Sequence, residues 1–254
     1  MLDAYLLVCI GLPNVSGMTF DNSTNSAHTD VSRTMRIGIL GTGAMATALG
    51  GAWVRAGHAV MVGGRNPASA AATAARIGAT AHGTLAEAAG FGEAVLFALP
   101  ADVAPRVAKE LSSELAGRAV LDCTVPMRPS ADGPMLTTTG DTDSNATRIA
   151  TAAPESHVVK VFGVCHESIW TLPRPTFEGA PLAVPYCTDN TDQAAALTGE
   201  LITSMGCDPL PCGGLGRAAL LEAAAVFAIG VWWAGREARQ VYPSPALAPG
   251  AVDD

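Results

Sequence analysis

The sequence predicts an α/β protein built on a doubly wound parallel sheet of the Rossmann type. From Arg36 onward, apolar strand-like runs alternate with alanine-rich helical stretches, and glycine or proline stands at most of the joints. A G-x-G-x-x-[GA] turn at Gly41–Ala46 joins the first predicted strand to the first predicted helix. Strands that alternate with helices in this way form βαβ units and a parallel sheet.

The first half of the chain shows this alternation most clearly. We predict strands at Arg36–Gly41, Ala59–Gly63, Ala94–Leu99 and Ala119–Asp122. Between and after them we predict helices at Ala44–Ala56, Ala68–Arg76, Thr84–Ala89 and Val103–Leu115, the last of them capped by Asp102.

The second half is less regular. Residues 126–154 are rich in Pro, Gly, Ser and Thr and predict a mobile surface loop, with at most a short helix near Ala146–Ala152. Strands at His157–Val161, Leu182–Val184 and Cys207–Leu210 and a helix at Thr191–Met205 follow. The last segment, Leu215–Gln240, is apolar almost all round, and in so small a chain this favours burial against a second subunit.

Composition and charge exclude several classes of protein. The net charge is −8 and no run of five Lys or Arg occurs, so we expect no nucleic-acid partner. The apolar run around Leu6–Ile10 is shorter than the ~20 residues of a membrane span, and Asp3 lies where a signal peptide carries positive charge. We therefore expect a cytoplasmic protein without a membrane segment. Six cysteines without a C-x-x-C pair predict free thiols and no metal site.

The turn at Gly41, Thr42, Gly43, Ala44, Met45 and Ala46 is predicted to bind a dinucleotide. The first glycine permits the tight turn, the second lets the backbone approach a pyrophosphate, and the small third residue lets helix and strand pack closely. The helix N-terminus offers N–H groups and partial positive charge to the phosphates.

The end of the second strand indicates which dinucleotide binds. An NAD enzyme places Asp or Glu there, whereas this chain has Gly64, Arg65 and Asn66 after Gly63. A guanidinium suits a 2′-phosphate, so NADP(H) is predicted, the alternative being a solvated arginine in a turn. Ligands of such sheets lie beyond the carboxyl ends of the strands. We therefore expect the nicotinamide to meet Leu99, Pro100, Ala101 and Thr124, and Asp122 is either functional or a loop cap.

Five motifs together carry a family resemblance. They are Met35–Met45, Val62-Gly-Gly-Arg65, Ala98-Leu-Pro100, Val158-Val-Lys-Val-Phe162 and Gly213-Gly-Leu-Gly-Arg217. They resemble the NADPH-dependent F420 reductases, also called F420H2:NADP oxidoreductases. The resemblance implies a Rossmann domain with a small C-terminal α/β cap, a homodimer, and direct hydride transfer between nicotinamide and the deazaflavin of F420, for which the protein supplies alignment.

One departure from the family concerns the residues after the strand His157–Val161. Family members often carry Asn or His and then Thr there, whereas this chain has Gly163-Val164-Cys165-His166-Glu167. A different acceptor, such as an imine or an enone, therefore becomes an alternative. His166 is the candidate proton donor, the alternative being a structural role. Because neighbours on a strand point apart, Glu167 is not expected to meet it.

The remaining candidates are apolar or aromatic. Gly163, Val164, Cys165 and Trp170 are expected to bind substrate, with core packing as the alternative for the tryptophans, including Trp232 and Trp233. His58, His82 and His157 are expected to be solvated.

We expect a disordered or loosely docked leader (1–34), an NADP-binding Rossmann domain (35–155), a cap for substrate and dimerisation (156–242) and a tail (243–254). Three functions remain open: an NADPH:F420 oxidoreductase, an NADPH-dependent imine or enone reductase, and a Rossmann protein that binds NADPH without turnover.

Overall fold

The computed structural model describes residues 33–139, 142–190 and 192–241. The predicted tail and all but the last two residues of the predicted leader lie outside these ranges. One compact unit spans Ser32–Ala234. The other takes in 1–31 and 235–254, and its described part holds a short 3-10 helix, Ala238–Gln240.

The described residues form twelve strands and eight α-helices. The strands are β1 Arg36–Leu40, β2 Ala59–Gly63, β3 Ala81–Gly83, β4 Ala94–Phe97, β5 Ala119–Asp122, β6 Met127–Ser130, β7 Gly133–Leu136, β8 His157–Val161, β9 Thr176–Phe177, β10 Ala180–Pro181, β11 Ala183–Cys187 and β12 Asp208–Pro211. The helices are α1 Ala44–Arg55, α2 Pro67–Ile77, α3 Leu85–Phe91, α4 Ala104–Glu110, α5 Ser112–Leu115, α6 Asn145–Ala152, α7 Gln193–Ser204 and α8 Ala218–Trp233, and 3-10 helices occupy Glu167–Thr171 and Leu215–Arg217.

The central sheet has eight strands in the order β12-β11-β8-β5-β4-β1-β2-β3. The strands from β8 to β3 are parallel, and the order reverses between β1 and β4. This is the doubly wound Rossmann arrangement, so the predicted fold class is confirmed. β11 pairs antiparallel with β8, and β12 parallel with β11, so the C-terminal strands extend the same sheet.

Apolar layers cover both faces of the sheet. One layer contains Trp53, Phe162 and Trp170, and the other contains Phe97 and Ile149. The strands β4 and β5 are buried at every residue. Parallel strands covered on both faces are continuous apolar runs in the sequence, which is why these two were predicted correctly.

Three local predictions were wrong or incomplete. The predicted loop 126–154 contains a hairpin, β6–β7, in addition to the expected short helix α6. The helix predicted over Val103–Leu115 is interrupted at Leu111, and its N-cap is Val103 without a side-chain hydrogen bond, so Asp102 does not cap it. The helix predicted over Leu215–Gln240 ends at Trp233, shortly before Gly235 in the left-handed region.

Candidate functional site

The turn between β1 and α1 has the geometry of a phosphate loop. Gly41 has φ +127°, and a Cβ there would overlap the carbonyl oxygen of Ala98, so glycine is required. A Cβ on Gly43 would meet no atom within 4 Å, which leaves open space in front of the backbone. α1 begins without a side-chain cap and without an acidic residue in its first turn. Its N–H groups are therefore available to an anion.

The end of β2 lies beside this loop. A Cβ on Gly64 would come within 3.0 Å of Thr42 Cγ2, which places the two turns in contact. Asn66 caps α2 by accepting hydrogen bonds from the N–H groups of Ala68 (2.9 Å) and Ser69 (3.2 Å). The exposed Arg65 guanidinium has no hydrogen-bond or ion-pair partner among the described residues. It is free to meet a phosphate.

A cleft of about 400 Å³ opens at the carboxyl ends of the central strands. Many of the predicted site residues line it: Gly43, Ala44 and Met45 of the phosphate loop, Leu99, Pro100, Ala101 and Thr124 after β4 and β5, and Gly163, Val164, Cys165 and His166 after β8. Gly41, Thr42, Ala46, Gly64, Arg65 and Asn66 do not line it. Ala46 is fully buried, as expected of the residue that packs helix against strand.

The structure places Trp170, the remaining predicted substrate residue, in the core rather than in the cleft. It is 1% exposed, and its ring lies edge-on to Phe162 with centroids 5.3 Å apart. Phe162 in turn contacts Trp53 at 5.7 Å and adopts φ +66°, a conformation unusual for a side chain of this size. This left-handed residue turns the chain after β8, so the ring of Phe162 enters the core while Gly163 to His166 turn into the cleft.

His166 and Glu167 meet in the cleft wall, contrary to the expectation that they point apart. The chain has left β8 here, and a 3-10 helix begins at Glu167 with His166 as its N-cap. His166 Nδ1 accepts from the backbone N–H of Ser168 (3.3 Å), and Nε2 lies 3.3 Å from a Glu167 carboxylate oxygen. In the neutral ring, Nε2 therefore carries the proton and faces Glu167.

Several residues that line the cleft were absent from the predicted site: Ala98, Cys123, Val125, Met127, Glu167 and Ile229. Trp232, a candidate for the wall of a substrate pocket, also lines it. Ile229 and Trp232 lie near the end of α8, and the Trp232 ring lies edge-on to His166 at 6.3 Å. Because α8 is apolar all round, its sequence does not show which side faces the cleft. Burial raises the pKa of Cys123 to about 12 and that of Cys165 to about 11, so neither thiol is an activated nucleophile.

A second cavity of about 670 Å³ continues from the cleft past Pro100, Ala101, Val125 and Met127, which line both. Arg128 and Arg148 also line this side cavity. Arg148 pairs with Asp143 through two hydrogen bonds of 2.8 and 2.7 Å. Arg128 is exposed, and its guanidinium has no partner in the described part of the chain.

One segment of the described residues, Leu215–Trp233, is long and apolar enough to cross a membrane by length and composition. α8, which makes up most of it, buries Ala225, Val226 and Ala228, and Glu222 within it is fully buried. A buried acidic residue fits a helix that packs against its own protein.

Known proteins resemble this chain in sequence. Residues 36–126 match the model of the family described as NADP oxidoreductase coenzyme F420-dependent. The chain is 30% identical over 188 residues to the metalloreductase STEAP3 of Rattus norvegicus, which covers 74% of this chain and 36% of STEAP3. The chain therefore spans about a third of the length of that relative.

Solved structures share the fold. An F420-dependent NADP-reductase from Arthrobacter sp. FB24 has a TM-score of 0.70 at 24% identity, over 80% of this chain and 96% of that one. A 3-hydroxyisobutyrate dehydrogenase of Mycobacterium tuberculosis has a TM-score of 0.57 at 16% identity, over 87% of this chain and 74% of that one. A reductive aminase from Aspergillus terreus has a TM-score of 0.55 at 20% identity, over 80% of this chain and 64% of that one. The family match over residues 36–126 agrees with the predicted NADP-dependent oxidoreductase, and these structures confirm the Rossmann fold.

Proposed function

We propose that the protein transfers hydride between NADP(H) and coenzyme F420 or an F420-like acceptor, a proposal supported by the match of residues 36–126 to the model of the coenzyme F420-dependent NADP oxidoreductases. The observation that carries the proposal is the cleft. It joins the phosphate loop to the carboxyl ends of β4, β5 and β8 and to the end of α8, so a nicotinamide and a second ring have one shared space.

The cleft residues suit a reaction that needs alignment more than acid or base. Leu99, Val125, Ile229 and Trp232 present apolar surface, which excludes water from the region of hydride transfer. NADPH would supply the hydride when bound, and the N-terminus of α1 and Arg65 are the groups that would hold its pyrophosphate and its 2′-phosphate. Positioning of this kind accounts for a large part of the catalysis of bimolecular reactions.

The side cavity supports an acceptor that is larger than the cleft and carries negative charge. It opens directly from the cleft, and Arg128, which forms no ion pair with the described residues, offers a cation there, with Asp102 as the carboxylate that also lines the cavity. Coenzyme F420 carries an acidic, phosphate-containing tail on its deazaflavin. The tail would extend into this cavity while the ring stays beside the nicotinamide.

The proposal is tested by mixing the protein with NADPH and oxidised F420 and following the visible absorbance of F420. Bleaching that depends on protein and NADPH supports it, and the Arg128→Ala variant should raise the KM for F420 without changing the affinity for NADPH. Absence of bleaching, with NADPH binding intact, would refute it.

Reduction of an imine or an enone is the second candidate, and the His166–Glu167 pair favours it. Reduction of a C=N or C=C bond by hydride needs a proton afterwards, and His166 Nε2 holds one in the cleft wall. NADPH consumption with small imines but not with F420, lost in His166→Ala, would support this reading. Tight NADPH binding without turnover of any acceptor would instead support the third hypothesis, a Rossmann protein that binds NADPH without catalysis.

We also propose a homodimer that forms through α8. Leu220 and Phe227 lie two turns apart on one face of this helix and are 57% and 50% exposed, an apolar surface that a second copy would cover. The Leu220→Glu variant should be monomeric by light scattering, and an unchanged mass would refute this interface. The free thiols of the described cysteines fit a reducing, cytoplasmic compartment, and the proposed partners are small molecules rather than nucleic acid or membrane.

A further inference from the structure

Three charged groups are buried together beneath the cleft. Lys160 of β8 is 1% exposed, and its ammonium nitrogen lies 2.9 Å from Asp122 Oδ2 and 3.1 Å from Glu222 Oε1. Both carboxylates are fully buried. Burying three charged groups carries a desolvation penalty that apolar residues of the same volume would avoid. The cluster therefore indicates that the elements it joins are held in one particular geometry.

The ammonium group holds two carboxylates that repel each other: burial, with a smaller contribution from the charge of Asp122, raises the pKa of Glu222, and the charge of Lys160 opposes this shift. Burial by itself would lower the pKa of Lys160, but the carboxylates of Asp122 and Glu222 outweigh it and raise the pKa. The lysine therefore stays an ammonium and keeps three donors. The cluster ties the end of β5, the strand β8 and the helix α8 to one another, and the cleft wall includes residues of α8 and of the segments that follow the two strands.

Thr124, the second residue after β5, accepts or donates most of the hydrogen bonds that these groups make to the cleft wall. Its N–H donates to Asp122 Oδ1 (2.9 Å), and its carbonyl oxygen accepts from Lys160 Nζ. Its hydroxyl oxygen accepts from Asn145 Nδ2 at 2.6 Å. Asn145 is held in turn, because its backbone N–H donates to Glu222 at 2.9 Å. Asp122 is thus a loop cap, one of the two roles that its sequence position allowed.

The hydroxyl hydrogen of Thr124 is a hydrogen-bond donor without an acceptor among the described residues. The residue is 4% exposed and lines the cleft, and its hydroxyl group donates a hydrogen bond to no described residue. Since the oxygen already accepts from Asn145, the hydroxyl hydrogen is directed away from that amide. A buried donor without a partner costs free energy, and a ligand acceptor in the cleft would recover it.

We propose that Thr124 donates a hydrogen bond to the carboxamide oxygen of the nicotinamide, and that Asn145 and the cluster of Asp122, Lys160 and Glu222 are positioning residues that fix this donor. The inference rests on the proposed function in that NADPH occupies the cleft. From the phosphate loop after β1, a bound dinucleotide would cross the end of β4 and bring its nicotinamide to the end of β5, where Thr124 lines the cleft. The carboxamide oxygen is the strong neutral acceptor of that ring.

Two variants at Thr124 test the donor by binding alone. Thr124→Val removes the hydroxyl at nearly constant shape, and it should weaken NADPH binding about 3- to 10-fold, the range of a single neutral hydrogen bond. Thr124→Ser keeps the hydroxyl and should bind as the wild type does. Adenosine 2′,5′-bisphosphate, which lacks the nicotinamide, should bind all three proteins equally. Equal weakening of both ligands would indicate a merely structural role and overturn the proposal, as would unchanged NADPH binding.

A change in the ligand identifies the partner atom. Thio-NADP+ replaces the carboxamide oxygen with sulfur, a weaker acceptor. Wild type should prefer NADP+ over thio-NADP+, and Thr124→Val should lose that preference. A preference that persists unchanged in the variant would refute the assignment to this oxygen.

The positioning role is tested with Asn145→Ala, which removes the amide that orients the hydroxyl. Its loss of NADPH affinity should match that of Thr124→Val, and the double variant should be no worse than either, since both remove one interaction. Additive losses would refute the positioning role. If Asn145→Ala does not fold, Asn145→Ser replaces it. Because these experiments measure NADPH binding, they test the role of Thr124 whether or not F420 is the acceptor.

Discussion

Replacing Arg65 with alanine separates the two nicotinamide cofactors. Arg65 is exposed at the end of β2, has no partner among the described residues, and follows Gly64, which contacts the phosphate loop. A hydrogen bond to a charged group contributes about 1.5–3 kcal/mol, and each 1.4 kcal/mol is tenfold in affinity. We therefore expect Arg65→Ala to weaken NADPH binding by about 10- to 100-fold and to leave NADH binding within about twofold.

The assay is titration of the nicotinamide fluorescence of each cofactor with wild type and variant. Arg106→Ala is the matched control, because Arg106 is exposed on α4, pairs with Glu110 (3.2 Å) and carries the same charge. It should change neither affinity. Raising the salt concentration should weaken NADPH binding more in wild type than in Arg65→Ala. If both cofactors weaken equally, or NADPH binding is unchanged, Arg65 does not read the 2′-phosphate.

Three further outcomes follow from the geometry. Gly41→Ala should abolish NADPH binding in titrations and lower Tm, since a Cβ there overlaps the backbone at φ +127°; retained binding would contradict the loop geometry. Trp170→Ala should lower the free energy of unfolding in urea by about 3–5 kcal/mol, as the loss of a core tryptophan does. A variant of unchanged stability with a raised KM would contradict the core position and indicate a pocket residue. Burial and the charge of Arg33 lower the pKa of His58, so stability should fall as pH drops below the unfolded value of 6.5; in His58→Gln this part of the Tm–pH curve should flatten, and an unchanged curve would contradict it.

The parts of the site that obey local rules were predictable. The strand–turn–helix at Gly41–Ala46 depends on glycines within one turn, so its conformation was predictable from sequence, and its role in phosphate binding stays a prediction. The buried strands were found because their apolar runs are continuous. The prediction that Arg65 reads the ribose 2′-phosphate also rests on a single local position, because the end of β2 carries the choice between carboxylate and guanidinium.

The parts that depend on distant contacts were not predictable. Trp170 has the same sequence signature in a core as in a pocket, and only its contact with Phe162 decides between them. His58 was expected in solvent, but it is 5% exposed and bonds to Met35 and to Ser204, 146 positions away. His166 and Glu167 meet because β8 ends at Val161, and strand ends are among the least certain features of a sequence pattern.

The antiparallel direction of β11 decides where α8 begins. Because β11 and β12 run away from the cleft, α8 starts near the opposite end of the central strands, where Leu215 N–H donates to Asp189 (2.8 Å). Sixteen residues, about 24 Å of helix, then return it to the cleft, where Ile229 and Trp232 form part of the wall. One residue inserted early in α8 would rotate both side chains by about 100° and leave every strand unchanged. Helix phase is therefore a route by which related chains could exchange acceptors while keeping the NADP half of the site intact.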